Sequence, residues 1–253
     1  MKGTITAVAS AHQSGHDQRG ALAPWISFAI AAIVGLGAVS MGSEWVLSLS
    51  FTSQSFFMAV LLYLAAVSAI TYAIRTRYPH DRLGWCNRVT LARLVVVTIL
   101  AAALLEGVDP QMPLLILAAV SLSLDGVDGW LARREGLSSD FGARFDVEVD
   151  AAFALLLAIY GARNGVVTPY VILLGLPHYM FWIARILLPW LNAPLPERFS
   201  RKAVCVLQIA VLMLLLVPQM AGSALLNGAV AVVSLALIWS FGRDIAFLYR
   251  SRA

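Results

Sequence analysis

Between two apolar runs the chain reads Asp125-Gly126-Val127-Asp128-Gly129-Trp130-Leu131-Ala132-Arg133, then eight residues, then Gly142-Ala143-Arg144-Phe145-Asp146-Val147-Glu148-Val149-Asp150. On a helix each residue turns by about 100°, so Asp125, Asp128, Gly129 and Ala132 fall at about 0°, 300°, 40° and 340°. Two carboxylates and two small residues therefore share one stripe. Gly142, Asp146 and Asp150 follow at i, i+4 and i+8 and also share a face. The stretch predicts two neighbouring helices that each turn a pair of carboxylates toward one place.

What surrounds these acids is unusually apolar. Of 253 residues 60% are hydrophobic and 13% charged, with a mean hydropathy of +0.81. A soluble domain carries about twice that charge. Runs of roughly 20 apolar residues match the thickness of a hydrocarbon core. Eight such runs are expected, over 22–42, 55–75, 90–106, 112–133, 144–162, 167–189, 202–219 and 225–248. Backbone groups in lipid must be satisfied within their own segment, so the runs predict helices and an all-α polytopic membrane protein. No broken helix, inverted repeat or fixed-period repeat is evident. Residues 1–20 are polar and are expected to form a disordered tail. The basic stretch Ile74–Asn87 is the expected boundary between a leading helix pair (21–75) and a six-helix unit (76–253).

The net charge of +4 does not point to nucleic acid, because the bases are scattered between apolar runs and form no stripe. They follow topology instead. With the tail in the cytoplasm, so are Lys2, Arg19, Arg75, Arg77, Arg82, Arg88, Arg93, Arg133, Arg134, Arg144, Arg198, Arg201, Lys202, Arg243, Arg250 and Arg252, leaving only Arg163 and Arg185 elsewhere. The positive-inside rule then puts both termini in the cytoplasm, and a bacterial inner membrane is the expected location. Cys86 and Cys205 form no disulfide framework or CxxC pair and are expected to pack.

Four ionised carboxylates at membrane depth cost roughly 10 to 14 kcal/mol before their mutual repulsion is counted, so a cation must hold them. Hard oxygen ligands without His or Cys suit Mg²⁺ or Mn²⁺, and four negative charges balance two divalent ions. Two-metal sites clamp phosphates. Gly129, Ala132 and Gly142 lack bulk where a base or diphosphate would approach, although close helix packing asks for small residues equally. No phosphate loop, nucleophile elbow or HExxH helix occurs. A cation transporter is the rival reading, since intramembrane acids also mark ion pathways. Asp244, beside Arg243, is expected to be an exposed pair, and His178 a hydrogen-bonded core residue. Glu148, turned away from its acidic neighbours, has no assigned partner. Arg185 sits in an apolar run, cannot lose its charge and must find an anion, a carbonyl or an aqueous cavity.

The pattern from Asp125 to Asp150 resembles the DxxDGxxARx8Gx3Dx3D motif of the CDP-alcohol phosphotransferases at each of its defined positions. Asn87, Thr90 and Arg93 are similar to the NxxTxxR segment that often opens the family's first core helix, with Cys86 where Pro is common. The resemblance covers about two-thirds of the chain and implies a six-helix homodimeric core. It implies that Asp125, Asp128, Asp146 and Asp150 bind metal, and that Asp150 is also the general base. It further implies that Gly129, Ala132, Arg133 and Gly142, with Asn87 and Thr90, hold the CDP part. The reaction it implies moves the phosphatidyl group of a CDP-lipid such as CDP-diacylglycerol onto an alcohol and releases CMP. Arg93, Arg185, Arg198, Arg201 and Lys202 are the candidates for binding the acceptor, and that much positive charge points to a phosphorylated polyol. Serine and choline are the alternatives. The segment Asp146–Ala151 departs from the DPxADK common in enzymes making phosphatidylglycerophosphate or cardiolipin.

Overall fold

A computed structural model describes residues 22–251 except 110, 164, 194 and 197; the Lys202 side chain also lies outside the described set, as does the predicted 1–20 tail. Nine α-helices occur among the described residues: α1 (Pro24–Leu47), α2 (Gln54–Arg77), α3 (Trp85–Glu106), α4 (Met112–Glu135), α5 (Asp140–Arg163), α6 (Ile172–Gly175), α7 (Pro177–Leu187), α8 (Phe199–Leu214) and α9 (Ala224–Arg250). No strand occurs among them. Five helices are long and apolar enough to cross a membrane, or six if the bent Pro169–Gly175 and Pro177–Leu187 pair counts as one span. The protein is a polytopic membrane protein.

All eight expected runs are helical, with two corrections. The expected span 167–189 is broken, bending by 60° between Gly175 and Pro177. Proline has no amide hydrogen to donate and its ring crowds the carbonyl four residues earlier, so hydropathy reads one run where the backbone makes two helices. The expected span 202–219 ends at Leu214, ahead of a tighter turn at Pro218–Met220. The residue before a proline is pushed out of the helical region, and Val217 is extended.

Local chemistry sets the ends that matter for the site. Helix α4 closes on Gly136 in the left-handed region (φ 66°), which only glycine adopts without cost. Ser139 then accepts a hydrogen bond from the Gly142 amide at 3.1 Å and starts α5. Four residues thus reverse the chain and set the two acid-bearing helices side by side. At the start of α3 the Trp85 amide donates to Glu135 Oε2 at 3.0 Å, a carboxylate against a helix N-terminus. Gly84 permits that approach, since a Cβ there would meet Glu135 Oε2 at 2.8 Å.

Helix α3 is the axis of the bundle, buried along most of its length by α1, α2, α4 and α5. The leading pair is held to it by close contacts. The Tyr63 hydroxyl donates to the Ala32 carbonyl at 2.9 Å, and a Cβ at Gly35 would meet that hydroxyl at 2.3 Å. On the far side Gly175 lets α6 touch α5, where a Cβ would come within 2.7 Å of Leu155 Cα. Gly175→Val is therefore expected to cost about 1 to 3 kcal/mol, the usual size of overpacking. Thermal melting of detergent-purified protein checks this against Gly37→Ala, whose Cβ meets nothing within 4 Å and should leave Tm unchanged.

Candidate metal and nucleotide site

The four motif aspartates converge on one guanidinium. Arg93, from the middle of α3 and 2% exposed, lies 3.0 Å from Asp125 Oδ1 and 3.1 Å from Asp128 Oδ2. It also donates to Asp146 and Asp150. The Thr90 hydroxyl, one turn earlier, reaches Asp128 Oδ2 at 3.2 Å. Asp128 is buried, whereas Asp125, Asp146 and Asp150 are a third or more exposed. The acids therefore lie between cavities rather than in dry lipid.

One cation against four carboxylates leaves three negative charges. Oxygens of Asp125, Asp128 and Asp146 all lie within 4.8 Å of one another. Ligands on opposite sides of a divalent ion stand about 4 to 5 Å apart, twice the metal–oxygen distance, so this hard-oxygen triad fits such an ion. Asp150 lies outside the triad and joins the group through Arg93.

A cavity of about 220 Å³ opens on the Asp128 and Asp146 side. All six residues expected to hold a nucleotide line it: Asn87, Thr90, Gly129, Ala132, Arg133 and Gly142. At Gly129 a Cβ would meet only Arg133 Nη1 at 3.5 Å, so packing alone does not demand glycine there and the space belongs to the cavity. At Gly142 a Cβ would press on Ser139 Oγ (3.3 Å) and Asn87 Oδ1 (3.4 Å). Asn87 is held in turn by Tyr78, whose hydroxyl accepts from Asn87 Nδ2 at 3.2 Å. Burial pushes the Tyr78 phenol above its usual pKa, so it remains a hydroxyl able to donate to the Arg82 carbonyl.

A second cavity, about 310 Å³, reaches Arg93, Asp125 and Asp150 from the opposite side, walled mainly by apolar groups such as Leu122, Phe153, Phe181, Ile209 and Phe241. A third, about 790 Å³, lies between α5 and α7 and includes Arg144, Glu148, His178, Arg185 and Asn192. Val147 and His178 wall both, so these two adjoin. His178 is hydrogen-bonded, with Nε2 3.2 Å from Glu148 Oε1, but it is half-buried on a cavity wall and not in the core as expected.

The four described acceptor-binding candidates do not gather, and the Lys202 side chain lies outside the described residues. Arg93 is in the acid cluster. Arg185 donates to Asn192 Oδ1 at 2.8 Å in the third cavity. Arg198 lies over the Phe247 ring, and Arg201 donates to Asp244 Oδ2 at 3.2 Å and to the Pro196 carbonyl. The expected Arg243–Asp244 surface pair is corrected: Asp244 is buried and faces α8. Sequence neighbours on a helix point about 100° apart, and Arg243 turns instead to Ser200 and the Trp239 ring. Sequence reasoning also missed the central place of Arg93. Its signal was present, for a guanidinium within the apolar run 89–105 requires an anion.

A carboxylate cluster whose geometry fits a divalent ion thus stands between two cavities inside a helical membrane bundle. Residues 83–240 match the family model for CDP-alcohol phosphatidyltransferases, and the chain belongs to that family. No curated protein and no solved structure is matched by the chain. The match begins after α2, so the leading helix pair lies outside it.

Arg93→Gln removes one partner of a buried ion cluster, a change that costs about 3 to 5 kcal/mol. In excess chelator the variant is expected to melt well below the parent, with part of the loss recovered by Mg²⁺ or Mn²⁺, which restore positive charge among the acids. Equal losses with and without metal count against the carboxylates as ligands.

Proposed function

We propose that the protein transfers the phosphatidyl group of a CDP-lipid such as CDP-diacylglycerol to a small phosphorylated polyol, releasing CMP. The observation that carries this is the two-sidedness of the acid cluster. The cytidine and its phosphates occupy the polar cavity at Asn87, Gly129, Ala132, Arg133 and Gly142. The lipid leaves through the apolar cavity, which puts the phosphorus between Asp128 and Asp150. Two divalent ions, Mg²⁺ or Mn²⁺, held by Asp125, Asp128, Asp146 and Asp150, would neutralise the diphosphate and the developing charge.

Asp150 takes the proton of the acceptor hydroxyl. The hydroxyl oxygen bonds to the lipid-bearing phosphorus as the bond from that phosphorus to the bridging oxygen breaks, and the electron pair leaves with CMP. Asp150 touches both Arg93 and the apolar cavity, which suits a base facing the lipid side. The acceptor comes from the adjoining polar cavity, where Arg185 has donors left for a phosphate. Its own charge explains why the acceptor enters from an aqueous side rather than from the bilayer. Arg198, Arg201 and Lys202 belong to the cytoplasmic rim of this reading. Both termini are cytoplasmic, the membrane is a bacterial inner membrane, and the enzyme works as a homodimer.

The test is CMP release by the purified chain with CDP-diacylglycerol and glycerol 3-phosphate, inositol phosphate, serine or choline. Excess chelator should abolish turnover. Asp150→Asn is expected to lose about 10² to 10⁴ in rate, the worth of a general base, while keeping nucleotide affinity better than Asp125→Asn or Asp128→Asn. Arg185→Ala should raise KM for a phosphorylated acceptor by about tenfold with kcat little changed. Preference for choline or serine, or an Arg185→Ala enzyme with unchanged KM, rejects the acceptor assignment while leaving the transfer chemistry intact.

A further inference from the structure

The leading helix pair does more than cover α3. Between α2 and α5 runs a cleft of about 710 Å³, separate from the nucleotide cavity and on the face of α5 turned away from the acids. Its α2 wall is Ala66, Ala69, Ile70 and Ala73, ending at Arg77; its α5 wall is Phe145, Val149 and Ala152, ending at Asp140 and Arg144. Eleven residues separate Ala66 from Arg77, about 16 Å at the helical rise. That is half of a hydrocarbon core roughly 30 Å thick, the depth of a single leaflet. Arg77, Asp140 and Arg144 lie at one end, where α2 finishes and α5 begins, and Glu148 stands about 12 Å along α5 from Asp140. Water is a poor occupant for such walls, and the cleft opens beside a span that lies within the bilayer.

The charged end distinguishes among lipids. Arg77 comes from α2, while Asp140, Arg144 and Glu148 follow at i, i+4 and i+8 on one stripe of α5. Despite this alternation of sign, neither Arg77 nor Arg144 has an ion-pair or hydrogen-bond partner among the described residues. Glu148 is bonded only to His178, at an oxygen with capacity to spare, and Asp140 makes no ion pair among them. Two guanidiniums and the Asp140 carboxylate around one mouth match a ligand carrying both a phosphodiester and an ammonium.

From this we infer that the cleft between the N-terminal helix pair and α5 binds one zwitterionic glycerophospholipid bearing a primary ammonium. Its phosphate lies on Arg77 and Arg144, its ammonium on Asp140, and an acyl chain along the alanine wall of α2. The lipid is neither donor nor acceptor; Asp140, Arg144 and Glu148 also border the third cavity, so its headgroup lies beside the acceptor's entry, and its binding is read without donor or acceptor present. It gives the helices outside the family match a ligand of their own, placed against the helix that carries Asp146 and Asp150.

Native mass spectrometry of the full chain, delipidated in detergent and titrated with phosphatidylethanolamine, phosphatidylcholine or phosphatidylglycerol, tests this. The first phosphatidylethanolamine is expected to bind about tenfold more tightly than either other lipid, and Arg77→Gln or Arg144→Gln to weaken it about tenfold. Ala69→Trp, which fills the cleft, should abolish that binding; if it does not fold, the two arginine variants still decide. Equal retention of the three lipids, or of phosphatidylethanolamine by both arginine variants, identifies ordinary boundary lipid and overturns the inference. So does cross-linking of Ala69→Cys to the same position of a second copy, which would show the cleft filled by protein. Glycerophosphoethanolamine without acyl chains should fail to displace the lipid, since half the site is apolar; displacement at comparable concentration overturns the acyl-chain placement.

Discussion

A guanidinium cannot shed its charge inside a membrane protein, and Arg93 sits nearly inaccessible at the centre of this one. Everything near it is arranged around that constraint. Helix α3 delivers the cation, α4 delivers Asp125 and Asp128, and α5 delivers Asp146 and Asp150, so three helices are tied to one point. A slide of any of them by one residue, about 1.5 Å and a 100° turn, would strand a charge. Buried ion clusters add little net stability compared with well-packed apolar groups, yet breaking one is costly. The cluster is therefore better understood as a device for register than as a source of stability. It is also incomplete by charge, since one cation faces four acids. A group that is short of positive charge is one whose stability rises with any cation that binds the folded state alone.

The four-residue reversal at Gly136–Ser139 matters for the same reason. A longer loop between α4 and α5 would let the two acid stripes rotate independently. The left-handed glycine and the serine cap leave little freedom, and they place Gly129 and Gly142 on the same cavity wall. That wall is open where a side chain would otherwise stand. The eight-residue gap in the motif thus has a mechanical meaning: it ends one helix, turns and restarts the next with the stripes facing.

The acid stripes were legible in the sequence because helical periodicity is local, whereas Asn87, Thr90, Arg133 and the small residues Gly129, Ala132 and Gly142 are expected together only by the family resemblance, and the structure sets them around one cavity. What was not legible depended on partners distant in the chain. Arg185 is expected to find an anion, a carbonyl or an aqueous cavity, and it meets the Asn192 amide oxygen in a cavity, whereas Arg93, for which the sequence suggests only an acceptor role, meets the four acids. Both lie in apolar runs, and only the packing of α3 at the bundle axis separates them. Asp244 was paired with its neighbour Arg243 because adjacency in sequence is easy to see, whereas its partner Arg201 lies 43 residues away. The break at Pro177 was hidden by hydropathy, which registers side chains and not the missing amide hydrogen.

That break bears on the rival reading of the acid cluster, since interrupted helices also mark transporters, where half-helix ends line the ion site. Here the acids stand on α4 and α5, which are both continuous, and not at a half-helix end. The break instead shapes walls. Pro177 and His178, at the start of α7, border the apolar cavity at Asp150, and His178 also borders the polar cavity that holds Arg185. An unbroken span would carry α7 straight on from α6; a bend of 60° sends it in a new direction beside α5. The interruption therefore sits where two cavities of opposite polarity adjoin. A lipid-bearing phosphorus and a water-soluble hydroxyl must meet at such a place if neither is to cross the other's solvent.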